Sequence, residues 1–236
     1  MSQLVLIRHG QASFFEDDYD RLSPDGRQQS RRLGEYWLQE QQQFDAVYCG
    51  PRERHRDTAA IIGEEFQRAG ITWPDPIVRD ELDEHQVDQL VRDHAEALAE
   101  KSDLLADYFS QFQAASLPDD RQRSFQRLFE AVASTWLGGD SFSVESWTNF
   151  RSRVNRLLSE VIDFPARKRR VAMFSSVGPI SVAVQRAVQC EDRIALQTGW
   201  RIWNCSLTEF VFSPSRITLD RFNALPHLPQ KEWTYR

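Results

Sequence analysis

Two apolar runs constrain this chain most. Leu4-Val5-Leu6-Ile7 stands near its start, and Val171-Ala172-Met173-Phe174 recurs late. A strand with one wet face alternates apolar and polar residues. A short run that is apolar at every position instead fits a strand buried on both faces, as in parallel sheets covered by helices. Asp45-Ala46-Val47-Tyr48 reads as a further short strand, and Ser206–Phe212 with Arg216–Phe222 as a closing pair around Ser213-Pro214-Ser215. Between them lie helical patterns. One starts at Ser23-Pro24 and buries Leu33 and Trp37, one covers Thr58–Phe66, and one runs from Pro179 to about Gln189.

Residues 86–164 change character. Val87, Leu90, Val91, Leu98, Leu105, Phe109 and Phe112 recur at helical spacing, as do Phe125, Leu128, Phe129, Val132 and Trp136. Breaks fall at Leu117-Pro118-Asp119 and Gly138-Gly139-Asp140. The expectation is an α/β fold: a three-layer α/β/α sandwich on a mostly parallel sheet. A single domain over 1–236 would carry a helical insertion at 86–140.

The 236 residues are 41% hydrophobic and 27% charged, ordinary for a globular chain, and the net charge of -6 argues against general nucleic-acid binding. Cys49, Cys190 and Cys205 are widely spaced, form no CxxC pair and read as reduced thiols. The first apolar run is short for a signal peptide, and no stretch approaches a membrane span. The expected location is therefore the cytoplasm, with no membrane partner. The sequence carries no signal for oligomeric state.

Ligands of open α/β sheets bind beyond the carboxyl ends of the strands. Three places qualify: Arg8-His9-Gly10, Cys49-Gly50-Pro51 and Ser175-Ser176. A histidine at a strand end beside an arginine can act as a nucleophile toward phosphorus. Cations keep the imidazole neutral and bind phosphoryl oxygens. Glycine at position 10 admits close backbone approach.

Cys49-Gly50-Pro51-Arg52-Glu53-Arg54-His55-Arg56-Asp57-Thr58-Ala59 contains P-x-x-R-x-x-x-T-A. Together with Arg8-His9-Gly10 it resembles the histidine phosphatase superfamily, which has the phosphoglycerate mutase-like fold. The resemblance implies that His9 becomes transiently phosphorylated and that Arg8 and Arg54 bind phosphate. Leu82-Asp83-Glu84 resembles the family's L-x-E and nominates Glu84 as proton donor, with Glu81 and Asp83 as weaker rivals. No metal or cofactor is implied. The expected partner is a phosphorylated small molecule or a phosphopeptide. Arg52 and Arg56 read as surface charges, and His55 as an exposed or supporting group. His85 is the first candidate to fill a gap in the pocket, though it reads better as a loop or surface histidine.

The segment Phe174-Ser175-Ser176-Val177-Gly178 departs from the family pattern S-H-G, placing Ser176 where a second histidine belongs. The backbone N–H groups of Val177 and Gly178 would still face an anion at a helix N-terminus. Losing a donor to transition-state charge costs about 10²–10³ in rate. Two readings stay open, a slower phosphatase and a non-catalytic relative that binds phosphorylated ligands; a mutase is a variant of the first. A remoter one is a serine hydrolase with Ser176, Asp220 and His227 in the chain order of that fold. If the pocket is otherwise intact, Ser176→His is expected to raise turnover of a generic aryl phosphate.

Overall fold

The computed structural model describes residues 1–13, 20–100, 102–139, 144–165 and 168–235. Both apolar runs lie in neighbouring strands. β1 (Ser2–Arg8) and β4 (Arg170–Ser175) pair in parallel, with Leu4 opposite Val171 and Arg8 opposite Ser175. β2 (Ala46–Cys49) runs parallel to β4 on its other side, and the two-residue β3 (Ile77–Val78) lies beyond it. β5 (Leu207–Ser213) is antiparallel to β1, and β6 (Arg216–Ala224) is antiparallel to β5. The order is β3-β2-β4-β1-β5-β6, a mixed sheet that is mostly parallel.

The two-sided burial of β1 and β4 follows from helices on both faces. Ile7, Ala172 and Phe174 pack with Leu33 and Trp37 of α1 (Pro24–Gln39), and with Ala59, Ile62 and Phe66 of α2 (Glu53–Arg68). Leu4 and Leu6 alternate to the other face and are fully buried. There α7 (Val177–Val188) packs against β1 and β6. This helix begins two residues before Pro179, whose missing N–H is harmless in a first turn. A short helix that the apolar pattern did not announce, α8 (Asp192–Gly199), packs on α7.

The chain divides into two compact units, Met1–Glu84 with Arg153–Arg236, and His85–Ser152. The second contains α3 (Val87–Ala99), α4 (Asp103–Ala114) and α5 (Pro118–Leu137), packed pairwise, and the first turns of α6 (Trp147–Ile162). Leu90, Leu128, Val132, Trp136 and Phe150 form its interior. His85 belongs to that interior. Its ring lies 5.4 Å from Trp136 and 5.7 Å from Phe150, so it is a buried histidine and not the surface one expected. Among the described residues no helix is long and apolar enough to cross a membrane.

The sheet presents the carboxyl ends of β1, β4 and β2 side by side. The His9 N–H donates to the Ser175 carbonyl and the Gly50 N–H to the Phe174 carbonyl, which carries the strand alignment into the loops. The loop after β1 then crosses the start of α1 backbone to backbone. A Cβ on Gly26 would lie 2.0 Å from the Gln11 carbonyl oxygen, and one on Gly10 would lie 2.4 Å from that of Gly26. Ser23 caps α1 by accepting the Gly26 N–H at 3.0 Å. Gly26→Ala should therefore lower the unfolding free energy by about 1–3 kcal/mol in urea titrations. Unchanged stability would mean that the loop yields at this crossing.

Candidate functional site

His9 follows β1 directly, and its peptide is held on both sides. The carbonyl accepts the Cys205 N–H at 3.1 Å and the Asn204 amide at 3.4 Å. Its Nδ1 lies 2.7 Å from the Gly10 carbonyl oxygen, which can only accept, so Nδ1 carries the hydrogen. Nε2 is left with its lone pair and accepts from Arg54 Nε at 3.2 Å. Burial, then the charges of Arg54 and Arg8, push the His9 pKa well below the usual histidine value; His55 adds to this and the Gly10 bond opposes it. The ring is a neutral imidazole whose unprotonated nitrogen faces a guanidinium.

Arg54 occupies the first turn of α2 and is 2% exposed. Its Nη1 donates to Asp20 at 2.8 Å, and the other Asp20 oxygen accepts the Glu53 N–H. Thr58, one turn later, donates to the Arg54 carbonyl at 2.7 Å and accepts the Gly10 N–H at 3.1 Å. Arginine and threonine four apart thus tie α2 to the loop that carries His9. Arg8 is buried alongside, and its Nη1 donates to the Ile202 carbonyl.

Glu84 is 7% exposed, and its carboxylate accepts the Gly178 N–H, at 3.1 and 3.4 Å to its two oxygens. This N–H, expected to face a bound anion, engages Glu84 instead. The loop before Glu84 is held by Arg153, whose Nη1 donates to the carbonyls of Asp80, Glu81 and Asp83 at 2.9–3.0 Å. Ser175 Oγ donates to the Leu82 carbonyl at 2.6 Å. The rival acids are occupied. Arg79 holds Glu81 down to about 2, so it has no proton to give near neutrality, and Asp83 pairs with Arg52 at 2.5 Å.

Ser176 is the N-cap residue of α7 in ordinary extended backbone, and its side chain makes no capping bond. Instead its Oγ lies 2.7 Å from His55 Nε2. Expected as an exposed or supporting group, His55 is fully buried, with its ring 5.7 Å from that of His9. Burial, then Arg54, Arg52 and Arg56, lowers its pKa well below the usual value. Gly50 makes the space, since a Cβ there would lie 2.2 Å from His55 Nδ1. The available signals were the position directly after Arg54 and the glycine opposite. Arg56 is exposed, as expected, whereas Arg52 is partly buried. The serine-hydrolase constellation is not assembled: Ser176 meets His55, the His227 ring lies 6.2 Å from Tyr36, and Asp220 is exposed on β6.

Two cysteines border the site. Cys205, whose N–H holds the His9 carbonyl, and Cys49, which precedes Gly50, are both buried, and burial raises both thiol pKa values.

Comparison with known proteins places the family and the fold. Residues 4–136 and 115–225 match the model of the histidine phosphatase superfamily (branch 1). A 66-residue stretch, 25% of the chain, is 38% identical to 2,3-bisphosphoglycerate-dependent phosphoglycerate mutase 1 of Nitrosomonas europaea, and spans 28% of that relative's length. Among solved structures, phosphoglycerate mutase from Bacillus anthracis superposes with a TM-score of 0.65 at 15% identity, over 96% of this chain and 94% of the other. Phosphoserine phosphatase from Entamoeba histolytica, in complex with 3-phosphoglyceric acid, gives 0.63 at 18%, over 97% and 100%. A mycobacterial glucosyl-3-phosphoglycerate phosphatase with inorganic phosphate gives 0.58 at 19%, over 97% and 100%. At these identities the superpositions speak for the fold.

His9 and His55 are neutral when folded and free to protonate when unfolded, so below pH 6.5 the unfolded chain binds more protons. Their contribution to stability is full above pH 6.5 and is lost as pH falls toward the folded-state values. Each should remove up to about 1.4 kcal/mol per pH unit in that window. Urea titrations between pH 7 and 5 should show this slope, reduced in His55→Gln. A flat profile would contradict neutral buried rings.

Proposed function

Because the chain belongs to the histidine phosphatase superfamily, branch 1, we propose that it hydrolyses a phosphomonoester through a phosphohistidine formed at His9. The observation that carries this reading is the tautomer of His9. Gly10 holds the Nδ1 hydrogen and leaves Nε2 as a bare lone pair beside Arg54. In the first step Nε2 attacks phosphorus in line, the ester P–O bond breaks, and the leaving oxygen takes a proton from the Glu84 carboxyl. In the second, Glu84 takes a proton from water, the oxygen attacks phosphorus, and the P–N bond breaks. Phosphate leaves and His9 is neutral again.

Arg54 and Arg8 bring fixed positive charge to a dianionic group, and a guanidinium matches phosphoryl oxygens with two donors. Ser176 sits where the family resemblance puts a second histidine. The expected substrate is a phosphorylated small molecule. The mutase, phosphoserine phosphatase and glucosyl-3-phosphoglycerate phosphatase likenesses support that class over a phosphopeptide.

With p-nitrophenyl phosphate as probe, His9→Ala should lower kcat by about 10³-fold or more. Equal rates for wild type and variant remove the covalent mechanism. If wild type turns over nothing across a panel of phosphoesters, yet phosphate raises its melting temperature, the protein is a binding member of the family. Relocation of a phosphoryl group on adding a bisphosphate would mark a mutase.

A further inference from the structure

We propose that His55, acting through the Ser176 hydroxyl, supplies the imidazole-backed hydrogen bond to the phosphoryl group that the serine alone lacks. The proposal rests on the phosphatase reading above and makes His55 a positioning residue and Ser176 the donor that touches substrate.

The geometry carries it. His55 Nε2 and Ser176 Oγ lie 2.7 Å apart with both residues at most 1% exposed, and they are 121 positions apart in the chain. Successive residues of one helical turn serve the two sides of the site: Arg54 bonds His9, and His55 bonds Ser176. His55 Nδ1 packs toward the bare Cα of Gly50 and has no hydrogen-bond partner among the described residues. That decides the tautomer. A hydrogen on Nδ1 would be a buried donor with nothing to receive it, the rarer arrangement in proteins. With the hydrogen on Nε2, His55 donates to Ser176 Oγ, and the serine's own hydrogen is free to turn toward an anion. The Ser176 Oγ does not cap α7, so no backbone N–H of that turn competes with His55 for its lone pairs. Donation into the oxygen polarises the hydroxyl and strengthens the bond it gives in turn. Burial and the surrounding arginines keep His55 neutral, so a single hydrogen is shared between two tautomers.

This reverses the expectation for Ser176→His. A second ring at 176 would meet the one already at 55 and should lower activity. Moving the imidazole should instead restore it: His55→Ala with Ser176→His is expected to recover at least tenfold over His55→Ala. With p-nitrophenyl phosphate, His55→Ala and Ser176→Ala should each lower kcat about 10–10²-fold with little change in KM. The double alanine variant should be no worse than the poorer single. His55→Gln, which keeps a donor of similar reach, should retain most activity and serves if the alanine variant fails to fold. Orthovanadate, which mimics the five-coordinate phosphorus, should lose affinity for His55→Ala by the same factor as kcat, while inorganic phosphate binding stays within about threefold. Wild-type kcat in His55→Ala, additive losses in the double variant, or equal losses of vanadate and phosphate would overturn the proposal. Turnover by wild type together with any of these leaves the phosphatase reading standing. If wild type is inactive but binds phosphate, the vanadate-to-phosphate affinity ratio decides alone, and an unchanged ratio in His55→Ala rejects the relay.

Discussion

The bond from His9 Nδ1 to the Gly10 carbonyl, 2.7 Å long, is the constraint on which the site depends. It fixes both the ring orientation and the nitrogen that keeps a lone pair. The carbonyl stands there because Gly10 has no side chain to collide with Gly26, and because Thr58 receives the Gly10 N–H. Thr58 in turn belongs to the turn of α2 that presents Arg54. A sheet strand, a glycine crossing and a helix start are thus coupled through one peptide group.

Charge is organised around that point against the trend of the chain. The molecule is acidic overall, yet Arg8, Arg54 and Arg52 converge near the strand ends. Two are balanced by carboxylates, Arg54 by Asp20 and Arg52 by Asp83, so the cluster is tolerated in a partly buried place. Glu84 accepts the Gly178 N–H at the start of α7, whereas Glu81, three residues earlier, pairs with Arg79. Neighbouring acids in one short segment therefore have different partners.

The two apolar runs made the central strands legible, and turn residues after them located the strand-end loops. The start of α2 was less visible, because its first turn is Glu53-Arg54-His55-Arg56-Asp57 and offers no apolar periodicity until Ala59. α8 is only eight residues long, too short to show a helical period. His9, Arg54 and Glu84 could be nominated from local motifs. The environment of Ser176 could not, since its partner is set by how α2 lies against the end of β4. A histidine within a charged turn reads as solvated until a glycine elsewhere is known to make room for it.

The cysteines that border the site give it a chemical character of its own. Cys205 holds the His9 peptide and Cys49 precedes the glycine that accommodates His55, but both are buried thiols with raised pKa values. Oxidants and alkylating agents react with the thiolate, and burial suppresses that form at both positions. A pocket built around the His9 imidazole and framed by sulfur kept as thiol is insulated from redox conditions that would modify an exposed thiolate.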